Sequence, residues 1–166
     1  PGTPNIVLTG ANASGKSTVL RSVALASVMS QTVTVAYCDA IAIKPVHDVH
    51  SHMCVPDDVL EGKSRFQAEM SSIGDIITDA ETGRSSILVI DELFSSTTAA
   101  QSVVCLDNVL KRLSSFRDCM FVLATHHKVD YDGIRRFKME TSSDTWKHRY
   151  KMVKGVNEVF NAVPVF

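Results

Sequence analysis

The sequence predicts an α/β fold with a largely parallel central sheet flanked by helices. Three observations predict it. Short apolar runs alternate with longer segments of helical periodicity, the runs are apolar on both faces, and the first run leads straight into a glycine-rich loop and a helix. At 166 residues the chain fits one domain, 1–166. Its 45% hydrophobic and 21% charged residues suit a globular core of ordinary kind. A net charge of −1 leaves no electrostatic footprint for nucleic acid, so this segment alone should bind DNA poorly.

Asn5 to Thr9 is a short apolar run ending at Gly10 and reads as a buried strand. Ser17 to Ser30 runs without a breaker and reads as a helix. Thr32 to Tyr37 is rich in β-branched residues and reads as a strand. Asp39 to Pro56 is mixed and reads as a loop or edge strand. Its His47, His50, His52 and Cys54 match no standard zinc spacing. Ser64 to Ala80 is an amphipathic helix with Phe66, Met70, Ile73, Ile77 and Ala80 on one face. Ser64 and Gln67 form a capping-box pattern at its start, and Gly83 ends it. Ser86 to Asp91 is a second buried strand, Thr98 to Leu113 a helix, and Cys119 to Ala124 a third buried strand. Arg136 to Thr141 and His148 to Val153 alternate and read as a late hairpin.

The cysteines, Cys38, Cys54, Cys105 and Cys119, form no C-x-x-C pair and read as reduced thiols, Cys105 and Cys119 in buried packing. No apolar run reaches the ~18 residues of a membrane span, so no membrane partner is expected. No signal peptide is visible. The chain opens Pro1-Gly2 without a methionine, which reads as a piece of a longer protein or a processed chain.

Two motifs carry chemistry. Gly10-Ala11-Asn12-Ala13-Ser14-Gly15-Lys16-Ser17 fits G-x-x-x-x-G-K-[ST], the phosphate loop of P-loop NTPases. Its glycines let successive backbone N–H groups turn toward phosphate oxygens, and the helix behind adds its positive N-terminus. Lys16 can reach the β- and γ-phosphates, and the Ser17 hydroxyl can ligate Mg²⁺. The apolar strand Ile87 to Ile90 ends in Asp91-Glu92, where open α/β sheets bind ligands. Asp91 is placed to hold Mg²⁺ through water, and Glu92 to polarise an attacking water as general base. The expected ligands are ATP and Mg²⁺.

Longer stretches carry a resemblance to the MutS family. Thr9 to Thr18 resembles its T-G-P-N-M-G-G-K-S-T, and Val19 to Leu25 with Met29-Ser30-Gln31 resembles Y-L-R-Q-V-A-L and M-A-Q. Gly62 to Met70 resembles G-x-S-T-F-x-x-E-M, and Asp91 to Thr98 resembles D-E-I-G-R-G-T-S. Ala124-Thr125-His126-His127 is similar to A-T-H-Y, and Tyr150 to Val156 to Y-K-L-x-x-G. Departures mark a divergent member. Ala11 stands for Pro, Ser14 for Gly, Arg65 for Thr, and Phe94 and Ser96 each for Gly.

The resemblance implies an ABC-type ATPase domain in which two facing domains share two nucleotides. It implies that residues 10–18, Thr18 included, hold nucleotide and that Asn12 bonds phosphate or the partner loop. Ser64 would touch the γ-phosphate bound by the other subunit, or else cap its own helix. His126 would be the switch histidine sensing the γ-phosphate, the other reading being a polar strand end. Gln31 would be the Q-loop glutamine near Mg²⁺ and the attacking water, or a helix C-cap. Ser96 and Thr97 would line the dimer seam. The implied partners are a homo- or heterodimer of such domains, and mismatched or structured DNA held by domains outside this chain. The implied process is mismatch repair, with ATP-driven dimerisation controlling DNA binding. The implied location is intracellular: the nucleus in a eukaryote, the cytoplasm or nucleoid in a bacterium or virus. The alternatives are an SMC-type or transporter ABC ATPase, whose L-S-G-G-Q signature this chain lacks, and a MutS-like ATPase outside mismatch repair.

Overall fold

The computed structural model describes residues 4–53, 65–129, 131–141 and 148–156. The elements run β1 (Ile6–Thr9), α1 (Lys16–Thr32), β2 (Asp48–His52), α2 (Arg65–Glu81), β3 (Ser86–Asp91), α3 (Ala99–Ser114), β4 (Cys119–Thr125), β5 (Arg135–Thr141) and β6 (His148–Lys154). They build one six-stranded sheet in the order β2-β3-β4-β1-β5-β6. All neighbours are parallel except β5 and β6, which form the expected antiparallel hairpin.

The sheet is buried from both sides, which is why its inner strands read as unbroken apolar runs. Val7, Leu88, Ile90, Phe121 and Leu123 face α2 and α3 in the larger core. Ile87, Val89, Val122 and Ala124 face Leu20 of α1 on the opposite side. Leu8, with Phe137 and Met139 of β5, packs on Val19 of the same helix. Thr98 caps α3, its hydroxyl accepting from the Gln101 backbone N–H at 3.4 Å. Glu81 and Arg112 tie α2 to α3.

Two expectations need correction. Thr32–Tyr37 is no strand. α1 continues through Thr32, the Val33 N–H bonds the Met29 carbonyl at 2.9 Å, and Thr34 turns the chain at φ 58°. Val33, Val35 and Tyr37 lie exposed. β-branched residues favour a strand only where a neighbouring strand is offered. Here the sheet edge beside β3 is taken by β2, from Asp48↔Ser86 to His52↔Ile90. The buried face of α2 is also shifted. Met70 is exposed, and Glu69 is buried one residue earlier, with Ile73, Ile76 and Ala80. The helix accepts an acid inside because Arg65 and Ser96 meet it there.

Gly83, at φ 74°, closes α2 as expected, its N–H reaching the Ala80 carbonyl at 3.3 Å. Cys119 is buried, Cys105 packs against the larger core, and Cys38 is exposed. Ser64, Gly62 and Cys54 lie outside the described residues.

Candidate functional site

Strand order brings the motifs together. β4 lies between β1 and β3, with Thr9 beside Thr125 and Asp91 beside Ala124. The phosphate loop leaving β1, His126 leaving β4 and Asp91-Glu92 leaving β3 therefore share one edge of the sheet.

The loop geometry explains its residue types. A Cβ on Gly10 would stand 2.8 Å from Ser14 Oγ and 3.1 Å from Met139 Cβ, so a side chain there forces the loop open. Ala13 and Gly15 take left-handed φ of 60° and 96°. Alternating backbone handedness of this kind turns successive N–H groups inward, forming an anion cradle. Gly15 is the N-cap of α1 and supplies no side-chain cap, and the first turn has no acid. The helix start thus keeps its positive end for a ligand. Ser14 is buried, and its Oγ has no partner among the described residues. Asn12, Ala13 and Thr18 are exposed, Ala11 and Ser17 half-buried.

Lys16 is only 4% exposed, yet it is a strongly hydrated cation. Its ammonium donates to the Gly10 and Ala11 carbonyls at 2.9 and 3.1 Å and lies 3.4 Å from Glu92 Oε1. Glu92 itself sits at φ 48°, its N–H bonded to the Ala124 carbonyl at 3.0 Å. A non-glycine residue in that region is strained, and such strain collects where a side chain must be aimed. Asp91 Oδ1 is buried without a protein partner among the described residues. An orphaned carboxylate oxygen beside a phosphate cradle fits a hard divalent cation, which takes one or two protein oxygens and completes its shell from phosphate and water. Among the described residues no group of three or more His, Cys, Asp or Glu could hold a metal ion by itself. The residues present therefore fit Mg²⁺ bound together with a nucleotide.

The His126 and His127 rings lie with centroids 4.1 Å apart, tilted by 42°. The His127 N–H donates to Thr125 Oγ1 at 3.0 Å, and its buried Nε2 has no partner among the described residues. Burial pushes the His127 pKa down, the neighbouring His126 pushes it further, and Glu92 opposes both. The motif resemblance assigns His127 no role, although it sits within the field of Glu92. Nothing in its spacing marked it.

Gln31 is not brought to this site. It lies in the last turn of α1, some 22 Å along the helix from Lys16 at 1.5 Å per residue. Both ends of its amide are engaged there: Nε2 donates to the Ser27 carbonyl at 2.9 Å, and Oε1 accepts from the Val46 N–H at 2.6 Å. It fastens the end of α1 to the segment entering β2, which agrees with the helix-end alternative. His52 and His47 are also engaged locally, with Ser72 and Ser85 hydroxyls at 3.0 and 3.1 Å.

A mainly apolar cavity of about 610 Å³ opens beside the phosphate loop. Gly15, Thr18, Val19, Tyr37, Ile41, Met139 and Tyr150 are among the residues that line it. Tyr150 takes φ 53°, and its Cδ1 stands 3.1 Å from where a Gly15 Cβ would be. Sequence reasoning named no residue for a base. Tyr150 sits in one of the quoted motifs, but only the hairpin places it against Gly15.

Residues 6–158 match the family described as MutS domain V. The DNA mismatch repair protein MSH6 of Saccharomyces cerevisiae is 29% identical over 162 residues, 92% of this chain and 13% of its own length. The DNA mismatch repair protein MutS of Pseudothermotoga lettingae is 36% identical over 122 residues, 73% of this chain and 15% of its own length. The mitochondrial DNA mismatch repair protein MSH1 of Arabidopsis thaliana is 33% identical over 120 residues, covering 72% of this chain and 10% of its own. The chain thus spans only a small part of the relatives it matches. Because the match runs through all three strand ends that form the site, the chain belongs to the MutS family and spans its domain V.

Proposed function

We propose that this chain is the ATP-binding and hydrolysing unit of a MutS-like DNA mismatch-repair protein. The observation that carries the reading is the Lys16–Glu92 pair at 3.4 Å, which joins the phosphate loop to the acidic strand end. A buried ammonium resting on two carbonyls and one carboxylate is matched to an anion that can replace them. When a triphosphate enters, Lys16 exchanges Gly10 and Ala11 carbonyls for β- and γ-phosphate oxygens, and Glu92 is released toward water. Backbone N–H groups of residues 11–16 and the α1 N-terminus hold the remaining phosphate charge. Ser17 and Asp91 are the residues that would hold Mg²⁺. That ion supplies charge neutralisation at the phosphate oxygens. Glu92 accepts the proton of the attacking water, and His126 contacts the γ-phosphate and reports its loss. The apolar cavity lined by Tyr150 accepts the base.

Ser64, preceding α2, completes the site of a facing subunit, so that ATP closes a dimer and hydrolysis reopens it. The partner is a second domain of this kind, in a homo- or heterodimer. DNA is held by parts of the protein outside this chain, consistent with its net charge of −1. No described helix is long and apolar enough to cross a membrane, and the proposed location is with the DNA inside the cell. The test is calorimetry of Mg-ATP binding to the wild type and Lys16→Ala. Tight binding in the wild type and its loss in the variant are expected. Equal affinity in both would overturn the phosphate-loop assignment.

A further inference from the structure

We propose that Phe94 and Ser96 clamp the Glu92 loop to the first turns of α2, so that Phe94 is a positioning residue for Glu92. The inference rests on the reading of Glu92 as general base. The loop leaves β3 through two non-glycine residues in the left-handed region, Glu92 at φ 48° and Phe94 at φ 62°. Such a backbone persists only where its surroundings over-determine it. The surroundings here are two contacts to one helix. The Phe94 ring, wholly buried, meets Phe66 at 5.8 Å between centroids, tilted by 52°. Two residues on, Ser96 Oγ lies 3.5 Å from Oε2 of Glu69, and Glu69 Oε1 lies 3.3 Å from Arg65 Nε. Phe66 and Glu69 are three apart and share one face of α2. The loop is pinned from the other side as well, the Ser102 hydroxyl of α3 donating to the Phe94 carbonyl at 2.6 Å.

The two loop residues that make these contacts stand at the two glycine positions of the family pattern. In D-E-I-G-R-G-T-S the positions of Phe94 and Ser96 are both glycine. Glycine accepts a positive φ without strain but has no side chain to reach α2. This chain therefore holds the loop by side chains where the pattern leaves it free. Glu69, buried, cannot leave its partners without cost. A displacement of the start of α2 must then carry the loop with it, and Glu92 lies two residues from the clamp.

The test restores the glycines. Phe94→Gly with Ser96→Gly is compared with wild type by Mg-ATP affinity, single-turnover hydrolysis and amide hydrogen exchange. Affinity within about threefold and a single-turnover rate at least about tenfold lower are expected, because a misplaced catalytic group costs rate and not binding. Exchange should quicken across residues 92–97 while β1 and β4 stay protected. Phe94→Leu, which keeps the core filled, should recover most of the rate if the double variant proves too unstable to assay. An unchanged rate in a folded glycine variant overturns the proposal. If the wild type binds no ATP, the ATPase reading fails, but exchange still judges the clamp. Faster exchange at 92–97 supports it, and unchanged protection there overturns it.

Discussion

Replacing Phe94 tests both its packing and its backbone, and the two act in opposite directions. The ring is 0% exposed and belongs to the larger core. Truncating such a ring to alanine costs about 3–5 kcal/mol. Phe and Ala both carry the penalty of a left-handed backbone at φ 62°, about 1–2 kcal/mol. Glycine does not carry it, though its looser unfolded chain takes back about 0.4–1 kcal/mol. Phe94→Gly should therefore be more stable than Phe94→Ala by about 0.8 kcal/mol at the midpoints, within a span of about 0–1.6 kcal/mol, the reverse of the order in an ordinary helix or strand. For a chain of this size each kcal/mol moves the midpoint by about 2–4 °C, so Phe94→Ala should melt roughly 6–20 °C below wild type. Urea unfolding with matched m-values measures both differences. Alanine more stable than glycine would refute the left-handed assignment. A loss below about 1.5 kcal/mol for Phe94→Ala would refute the buried ring.

Stability should fall on acidification because of His52. It is buried, and burial lowers its pKa from the ordinary 6.5, so the unfolded chain takes up the proton first. Stability is then full above pH 6.5 and declines as the pH drops below it toward the folded value. His127 shifts in the same direction. His52→Gln should flatten the unfolding free energy between about pH 7 and about pH 5, and an unchanged slope would show that His52 is not the source. In a dimeric form of the protein, mixing Lys16→Ala with Ser64→Ala should restore hydrolysis to up to about half the wild-type level per mixed dimer, since one composite site of each mixed dimer is then intact. Normal turnover by Ser64→Ala alone in a verified dimer would remove Ser64 from the partner's site.

Most of the fold was legible because its signals were physical necessities. β1, β3 and β4 are covered on both faces and had to be apolar throughout, Gly10 sits where a Cβ has no room, and Gly15 takes a left-handed φ. β2 was foreseen only as a loop or edge strand within Asp39–Pro56, because Asp-Val-His-Ser-His has no apolar run and finds polar partners in Ser72 and Asp79. Thr32–Tyr37 misled because composition cannot say whether a pairing edge is free. Glu69 misled because a buried acid depends on Ser96, far off in sequence, as well as on Arg65. Gln31 matched a motif string, but helix rise carries it away from the phosphate loop. Tyr150 and His127 became visible only when the hairpin and β4 set them beside Gly15 and Glu92.

The most direct test of the central claim is single-turnover hydrolysis of Mg-ATP by Glu92→Gln beside wild type, with affinity measured in parallel. The amide keeps the shape of the carboxylate but cannot take the water's proton. The expected result is retained binding with a rate at least about a hundredfold lower. A Glu92→Gln rate within a few-fold of wild type would contradict the assignment of Glu92 as the base.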